Sequence, residues 1–467
     1  MLLAFIGTQN GERPARFFLV RLAARAKALL FDGSEASRTR RIVGTAFLIR
    51  VAGAVLAYVS QILLAVWMGA FQFGIYIYVW TWVTLLVGFI DLGMSSAAQR
   101  FIPQYSHRNE SELLRGFQSG SRWLVLTLAS VVAIVGALSV GALQSWLNDY
   151  EVLPLYLGCL ALPMCCLLQV QSGIARAYNW VNLAQLPTFV VRQVLIIVGV
   201  GALYLAALPT DAVTATVIST IAVWIVAIGQ LLFLNRSLAQ TAPPGAKAYE
   251  LKTWLTVSLP MVMVDGFYLL LGYSSILMLQ LFRSPQEIAI YYAAEKTLAL
   301  VAFVHFAVTQ STAHKFSHYY VAGDREKLAA ALEHAVKLTF WPSLASIIVV
   351  LAAGFPLLWL FGRDFVAGYP LMFIFAVGML ARSAVGPLAS FLNMVGQQRA
   401  CAGIFAAAFG INVMLCLVMI PWLGTTGAAI SIVIAIVFES AALFLLTKRR
   451  LGFHGLVFGA AKAEPQQ

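Results

Sequence analysis

The fold is decided by residues 43–94, which read VGTAFLIRVAGAVLAYVSQILLAVWMGAFQFGIYIYVWTWVTLLVGFIDLGM. Arg50 and Asp91 are the only charged residues in this stretch, and Gly69 lies near its middle. A helix of about 20 apolar residues crosses the hydrocarbon core of a bilayer. The stretch is long enough for two crossings joined by a short turn, and it predicts transmembrane helices at 43–68 and 72–94.

The rest of the chain continues this pattern. Hydrophobic residues make up 61% of the 467 residues and charged residues only 11%, whereas soluble proteins carry about 25% charged residues. A β-barrel would show alternating segments of about ten residues, and these runs are longer and continuous. We therefore predict an all-α polytopic membrane protein with twelve transmembrane helices. Numbered 1 to 12, the spans are residues 43–68, 72–94, 120–143, 153–175, 184–207, 212–234, 255–280, 288–310, 337–360, 366–391, 399–420 and 424–447.

The distribution of basic residues predicts the orientation. With these spans, 22 of the 31 Lys and Arg residues lie in loops and tails on one side of the membrane, and only Arg283 and Arg363 lie on the other. Arg122, Lys337 and Arg399, at the ends of spans 3, 9 and 11, bring the first side to 25. The positive-inside rule then places both termini in the cytoplasm, which requires an even number of spans. In the basic tail, residues 14–31 set Phe17, Phe18, Leu22 and Leu29 against Arg16, Arg21, Arg25 and Lys27. They are interpreted either as an amphipathic helix on an anionic leaflet or as a solvated tail.

The two halves of the sequence resemble each other at an offset of 215 residues. Ile75-Tyr76 falls on Ile290-Tyr291, and Arg100-Phe101 falls on Lys315-Phe316. Six spans per half is an even number, so we expect two six-helix lobes related by a pseudo-twofold axis along the membrane normal. The predicted divisions are a cytoplasmic tail (1–41), an N-lobe (42–234), a cytoplasmic linker (235–253), a C-lobe (254–447) and a second cytoplasmic tail (448–467).

Ionisable residues within spans are costly and normally face a cavity or a partner. The offset of 215 relates Arg50 to Asp265, which predicts equal depth and either an ion pair or a shared cavity. Because neighbouring residues on a helix point about 100° apart, Glu295 and Lys296 cannot both face one spot. Asp91 is expected to reach solvent at the cytoplasmic end of span 2. The remaining candidates are Arg192 and Arg382, which either line the cavity or snorkel to the boundary, and Glu439.

Motifs for chemistry are missing from the sequence. No G-x-x-x-x-G-K-[ST], H-E-x-x-H or paired-cysteine motif occurs, and all five cysteines lie in apolar runs. The loops on the non-basic side are short. These observations favour transport over catalysis, and we expect no catalytic residue, cofactor, metal or nucleic-acid partner.

Residues 69–103 resemble a known family. They begin with G-A-F-Q-F-G-I-Y, continue through span 2 to Asp91-Leu92-Gly93, and end with Arg100-Phe101-Ile102-Pro103. This segment resembles the start of the polysaccharide and O-antigen repeat-unit flippases, the Wzx-like branch of the MOP (multidrug/oligosaccharidyl-lipid/polysaccharide) exporter superfamily. Ser258-Leu259-Pro260 and Gly386-Pro387 are similar as well, and the resemblance runs from about residue 41 to 450.

The resemblance implies a MATE-like fold whose central cavity is lined chiefly by spans 1, 2, 7 and 8. Family members move oligosaccharides linked to undecaprenyl diphosphate to the outer leaflet of the bacterial inner membrane, for lipopolysaccharide or exopolysaccharide synthesis. The implied partners are this lipid-linked oligosaccharide, membrane lipids and polysaccharide polymerase or assembly proteins. Family sites are cationic, which Arg50 and Lys296 match. Asp265 departs from that pattern and indicates either a less positive cavity or a coupling-ion site, for which Glu295 and Glu439 are further candidates.

Three other classes of protein compete with this interpretation. A MATE-type, cation-coupled drug antiporter would favour acidic residues in the cavity, whereas span 1 carries Arg50. A major-facilitator transporter would show G-x-x-x-D-R-x-G-R-[RK] after span 2, and Asp91-Leu92-Gly93-Met94 breaks that pattern. A polysaccharide polymerase or ligase would need a large outward loop.

Overall fold

A computed structural model describes residues 35–241, 245–453 and 457 of the chain. The basic tail with its predicted amphipathic segment at 14–31 lies outside the described residues, as do Pro243 and Pro244 of the linker. Within the described residues the regular secondary structure is helical. The inner end of a span is defined as the end that the positive-inside rule assigns to the cytoplasm, and the outer end is the opposite one.

The described helices account for all twelve predicted spans. Spans 1 and 2 lie in Glu35–Ile90, and span 2 continues in Met94–His107. Spans 3 to 6 are Ser111–Ala142, Asp149–Ala177, Val181–Leu186 with Arg192–Leu205, and Ala212–Thr241. Spans 7 to 9 are Leu251–Gln280, Pro285–Leu298 with Ala302–Val321, and Arg325–Ala352. After the short helix Gly354–Trp359, spans 10 to 12 are Tyr369–Val385 with Leu388–Met394, Gln398–Leu423 and Thr425–Leu451.

Gly69 turns one continuous helix into two crossings. Eleven of the described helices are long and apolar enough to cross a membrane, and the first of them, Gly44–His107, has 64 residues. A straight helix of that length would measure about 96 Å, roughly three times the hydrocarbon core. The helix instead breaks at Gly69, where φ is 76° and ψ is 164°. Only glycine adopts such a conformation readily, and both arms then line the same cavity.

The inner end of span 2 contains a second break, at Asp91-Leu92-Gly93. Asp91 binds the first turn of the helix that follows, because its carboxylate accepts hydrogen bonds from the Ser95 backbone N–H at 3.3 Å and from the Ser95 hydroxyl at 2.7 Å. Gly93 has φ 70°, and a Cβ there would lie 2.7 Å from the carbonyl oxygen of Ser258 in span 7. The expectation that Asp91 reaches solvent is wrong, since the residue is only 5% exposed. The motif forms a buried joint against span 7.

Three further irregularities lie beside basic residues of the spans. A π-helical turn, Pro187–Val191, directly precedes Arg192 in span 5. A 3₁₀ turn, Ala299–Val301, follows Lys296 in span 8. Span 10 breaks at Gly386, whose φ is 61°, four residues after Arg382. Such interruptions of regular helices free backbone groups and are frequent at functional sites.

The internal repeat is visible in the helix boundaries. Ser111 begins span 3, and the offset of 215 carries it to Glu326, one residue after Arg325 begins span 9. The same offset carries His107, the last residue of the span 2 helix, to Ala322, one residue after span 8 ends. The agreement at both positions supports the repeat read from the sequence.

Contacts from the middle of the membrane to the outer end join the first six spans to the last six. The Tyr58 hydroxyl of span 1 and the Thr297 hydroxyl of span 8 are hydrogen-bonded at 2.9 Å. Phe73 of span 2 contacts the ring of Tyr292 of span 8, with 6.1 Å between the ring centroids. In addition, a Cβ at Gly74 would overlap the backbone of Pro285, so spans 2 and 8 are in direct backbone contact. These contacts close the outer end of the molecule.

The inner end of span 7 packs on the first six spans. Trp254 is completely buried, donates a hydrogen bond of 2.9 Å to the Tyr105 hydroxyl, and contacts the Phe117 ring with 5.1 Å between the centroids. Ala248 of the linker donates its backbone N–H to the carbonyl of Glu112 at 3.0 Å. Span 7 is thus anchored on the N-terminal half at its inner end and packs with span 8 further out. The boundary between lobes at residue 253 stays a prediction.

Candidate functional site

The central cavity has a volume of about 450 Å³ and lies between the two halves of the chain. Spans 1, 2, 7 and 8 line it, as the family resemblance implies, and span 5 contributes as well. Aliphatic, aromatic and polar residues line it, and the side chains with polar atoms are Tyr58, Gln61, Tyr76, Trp80, Thr81, Thr84, Arg192, Gln193, Tyr273, Tyr292 and Lys296.

Two basic residues face this cavity from different halves of the chain. Arg192 lies eleven residues along span 5 from its inner end, and Lys296 lies eleven residues along span 8 from its outer end. Both are therefore about 16 Å deep, near the middle of the hydrocarbon core. The Arg192 guanidinium lies 4.9 Å from the Trp80 ring centroid, and the Lys296 ammonium lies 5.1 Å from that of Tyr292. Aromatic faces attract cations and hold these two in place.

Glu295 and Lys296 form an ion pair despite their adjacency on the helix. The Lys296 Nζ lies 3.4 Å from the Glu295 Oε1. Lys296 lines the central cavity, whereas Glu295 lines the next cavity toward the C-terminal half. The long lysine side chain bends back toward its neighbour, which reconciles the contact with the 100° between them. The distance between the Lys296 Nζ and the Glu295 Oε1 is longer than the 2.7–2.9 Å of a strong charge-assisted hydrogen bond. An anion in the cavity can therefore compete with Glu295 for Lys296.

Several buried polar atoms at the central cavity have no hydrogen-bond partner among the described residues. They include the Gln61 Oε1, the Trp80 Nε1 and the Arg192 Nε. Most buried polar groups in proteins are paired, so such groups call for an explanation. Gln61 and Trp80 were missed by the sequence reasoning because it considered only ionisable residues. The signal that would have found Gln61 is an amide side chain inside an apolar span.

A second cavity of about 450 Å³, the C-half cavity, lies among spans 7 to 12. Its ionisable lining residues are Asp265, His305, Arg382 and Glu439. The Arg382 guanidinium donates a hydrogen bond of 2.6 Å to the Glu439 carboxylate. The Glu439 side chain is 4% exposed and that of Arg382 is 24% exposed. Among the described residues, no three His, Cys, Asp or Glu residues are grouped as metal ligands would be.

Neither Arg192 nor Arg382 snorkels to the membrane boundary. Arg192 stacks on Trp80 at the central cavity, and Arg382 pairs with Glu439 at the C-half cavity. The snorkelling alternative fails because both side chains are directed into the protein by partners on other helices. Those partners are far away in sequence and were not visible from the position of either arginine.

Of the two alternatives for Arg50 and Asp265, an ion pair or a shared cavity, the described residues form neither. The Arg50 guanidinium lies 4.3 Å from the ring centroid of Phe306 in span 8 and 5.6 Å from that of Phe189 in span 5. Asp265 lines the C-half cavity together with Phe306, and its carboxylate takes part in none of the ion pairs. Arg50 is exposed and lines neither the central nor the C-half cavity.

The remaining residues of the family motif lie away from the cavities. Arg100 is exposed on the helix Met94–His107. Asp91 is buried beneath the inner end, where it interacts electrostatically with Arg176 and Asp265. Arg176 lies in the last turn of span 4, and the sequence reasoning assigned it to a loop. Asp91 and Gly93 thus shape the joint between spans 2 and 7 and do not line the cavities of the described part of the chain.

A third cavity, the bridging cavity, lies between the other two and has a volume of about 300 Å³. Spans 7, 8, 10 and 12 line it. With the central cavity it shares Tyr273, Lys296 and Ala299. With the C-half cavity it shares Tyr268, Ala302, Met379 and Arg382. The three cavities are therefore neighbours, separated by side chains that line two of them at once.

The fold is that of the MOP-superfamily transporters. A multidrug-resistance MATE transporter of that superfamily, in an inward-facing conformation, is 16% identical with a TM-score of 0.71, covering 86% of this chain and 98% of that one. The lipid II flippase MurJ, in an inward closed conformation, is 14% identical with a TM-score of 0.69, covering 86% and 87%. A MOP transporter from Pyrococcus furiosus, described as having a binding pocket of reversed polarity, is 15% identical with a TM-score of 0.66, covering 88% and 95%. The predicted all-helical, twelve-span fold is confirmed.

Within that class, residues 41–313 match the family described as "Polysaccharide biosynthesis protein". This match spans more than half of the chain, so the chain belongs to that family. No curated protein matches it. The protein is a multi-pass membrane protein with a transporter fold, and its named structural relatives are transporters and a flippase.

Proposed function

We propose that this protein is a flippase that moves oligosaccharides linked to undecaprenyl diphosphate from the cytoplasmic to the outer leaflet of the bacterial inner membrane. The family of the chain and the fold that it shares with a lipid II flippase both support the proposal. The observation that carries it is the pair of cations, Arg192 and Lys296, that face one central cavity from different halves at mid-membrane depth.

The substrate explains why the cavity needs these residues. A diphosphate and its sugars cannot cross about 30 Å of hydrocarbon unaided, because their polar groups would lose their hydrogen bonds with water. Arg192 and Lys296 supply positive charge for the phosphates. Gln61, Gln193 and Trp80 supply donors and acceptors for sugar hydroxyls. Most of the lipid tail stays in the bilayer and needs no polar path.

A diphosphate bound between Arg192 and Lys296 would contact both halves of the chain at once. Ligands shift a conformational equilibrium only through different affinities for its states. Two cations on separate halves provide such a difference, because rocking of the halves changes the distance between them. Arg50, nearer the inner end and stacked on Phe306, is placed to meet the diphosphate first. Outward opening then requires the Tyr58–Thr297 hydrogen bond to break.

In this proposal the termini are cytoplasmic and the delivered glycan is used on the outer face for lipopolysaccharide or exopolysaccharide synthesis. A polysaccharide polymerase or another assembly protein is the partner that the product requires. The reaction that supplies the substrate is glycosyl transfer onto a polyprenyl diphosphate on the cytoplasmic face.

A MATE-type, cation-coupled antiporter is the alternative, and Asp265 is the observation that favours it. Asp265 lines the C-half cavity outside any ion pair of the described residues, where a carboxylate suits a proton or a cation. Glu295 and Glu439 are weaker candidates for a coupling ion, since each already has a basic partner. Arg192 and Lys296 argue against a cationic drug as the substrate, because they make the central cavity positive. A coupling ion at Asp265 is compatible with the flippase.

Exchange of the cavity cations tests the proposal. Purified variants would be placed in proteoliposomes with a lipid-linked oligosaccharide, and translocation would be measured by access of an external glycosidase. Lys296→Gln and Arg192→Gln should each abolish translocation, whereas Lys296→Arg should retain it because charge matters most for a phosphate contact. Arg236→Gln, an exposed cation in span 6 outside the cavities, is the control. Normal translocation by both Gln variants would refute the proposal.

A further inference from the structure

The bridging cavity differs in chemistry from the central cavity beside it. Its wall is largely aliphatic and aromatic, with Leu269 and Leu271 from span 7, Leu298 from span 8, Phe375 from span 10, and Ile432 and Ile436 from span 12. Its charged side chains lie at the places where it meets its neighbours, namely Glu295 and Lys296 toward the central cavity and Arg382 toward the C-half cavity. An apolar chamber with charges at its ends suits a hydrocarbon ligand that carries a charged group at one end.

Gly272 is an exposed glycine in the wall of this chamber. It lines the bridging cavity from the middle of span 7, and a Cβ built there would meet no atom within 4 Å. Glycine within a helix is less favourable than a residue with a side chain, and no neighbouring helix packs closely enough here to require it. The bare backbone therefore leaves space in the cavity that any larger side chain would fill.

The more polar central cavity and the more apolar bridging cavity meet at Lys296. This residue lines both the central and the bridging cavity, while Gln61, Trp80 and Arg192 lie on the central side alone. A lipid-linked oligosaccharide has the same order of parts, with its glycan and its isoprenoid joined by a diphosphate. We infer that the bridging cavity holds the first isoprene units of the substrate, with the diphosphate at Lys296 and the glycan in the central cavity. This inference rests on the proposed function.

The size of the cavity limits how much lipid it takes. A volume of about 300 Å³ is at the lower end of the range for ligand pockets. Only the units nearest the diphosphate fit, and the rest of the chain remains in the bilayer. The bridging cavity therefore distinguishes lipid-linked diphosphates from soluble ones. Nucleotides and nucleotide sugars present a diphosphate to the same cations, but they have no hydrocarbon that fills the bridging cavity.

Short isoprenoid diphosphates provide the test. The binding of inorganic diphosphate, geranyl diphosphate and farnesyl diphosphate would be measured calorimetrically on the full-length protein in lipid nanodiscs, with empty nanodiscs to correct for partitioning. In the wild type, affinity should rise from inorganic diphosphate to farnesyl diphosphate. Gly272→Phe should weaken farnesyl diphosphate by about tenfold or more, as expected for apolar area that is no longer buried. The affinity of the Gly272→Phe variant for inorganic diphosphate should stay within about twofold of the wild-type affinity.

Two further variants make the result specific. Gly410→Phe is the matched control, because Gly410 is an exposed glycine in span 11 whose added Cβ would also meet nothing within 4 Å. Ile436→Trp fills the bridging cavity from span 12 and replaces Gly272→Phe should that variant fail to fold. Either filling variant should reduce farnesyl diphosphate binding, and Gly410→Phe should not.

Failure of the inference is distinguishable from failure of the proposed function. Equal wild-type affinities for farnesyl and inorganic diphosphate would overturn the inference alone, since the diphosphate site would remain. The same holds if the filling variants weaken both ligands equally or weaken neither. Absence of binding by every diphosphate would overturn the proposed function and the inference with it.

Discussion

Breaking the Arg382–Glu439 pair should destabilise the protein. Glu439→Leu removes the partner of a guanidinium whose donated hydrogen bond is 2.6 Å long. Loss of one partner from a fully buried ion pair costs about 3–5 kcal/mol, because the remaining charge is uncompensated. The Arg382 side chain is 24% exposed, so water in the C-half cavity can solvate part of its charge. The expected loss in the free energy of unfolding is therefore about 2–3 kcal/mol.

A double-mutant cycle isolates the pair. Arg382→Met and Glu439→Leu would be made singly and together, and unfolding would be followed in mixed detergent micelles. Replacing both partners by apolar residues is often nearly neutral, so the double variant should be more stable than Glu439→Leu alone. Lys337→Met at the more exposed pair with Glu333, whose Nζ–Oε1 distance is also 2.6 Å, should cost no more than about 1 kcal/mol.

The cycle also decides whether Arg382 is available to a substrate. A coupling energy near zero would contradict the reasoning, because it would mean that the pair contributes nothing in the folded protein. Arg382 would then be a free cation at the C-half cavity. It would be a stronger candidate for binding the diphosphate than an arginine whose guanidinium is paired with Glu439. A coupling energy of about 2 kcal/mol would assign it to the structure of that half.

Single contacts support three other predictions. Gly93→Ala should lower the free energy of unfolding by about 1–2 kcal/mol or more, because φ is 70° there and the contact with span 7 is close; the helical Gly44→Ala should be neutral or stabilising. Trp254→Phe should cost about 0.5–1.5 kcal/mol for the hydrogen bond to Tyr105, and Trp254→Ala about 3–5 kcal/mol, both measured by denaturant titration. Arg50→Ala should abolish glycan export while the level of protein in the membrane stays normal, and immunoblotting that shows loss of the protein would indicate a structural role instead.

The spans and the main turn could be predicted from the sequence because both depend on local properties. Hydrophobic length determines where a helix crosses the bilayer, and Gly69 marks the place where one apolar run is too long for a single crossing. The repeat was detectable because the two halves keep the same spacing of helix ends. Lys296 and Arg192 were candidates because any charge in a span requires an explanation.

The partners of these residues could not be predicted, since they depend on the rotation of each helix about its axis. The repeat places Arg50 and Asp265 at the same depth, but the two helices turn these residues toward different neighbours, and Arg50 stacks on Phe306. Asp91 is close to the end of a span in sequence, yet span 7 covers it. Uncharged residues such as Gln61 can be recognised as candidate site residues only from the structure, which places them in the same cavity lining as Arg192 and Lys296.

Translocation by the purified protein is the decisive measurement of flippase activity. Proteoliposomes containing the wild-type chain and no other protein would be loaded with an oligosaccharide linked to a polyprenyl diphosphate, and in parallel with a lipophilic organic cation. The account predicts that the glycolipid appears in the opposite leaflet, that Lys296→Gln stops this movement, and that the organic cation is not transported. Transport of the cation with no movement of the glycolipid would contradict the account and establish the antiporter alternative.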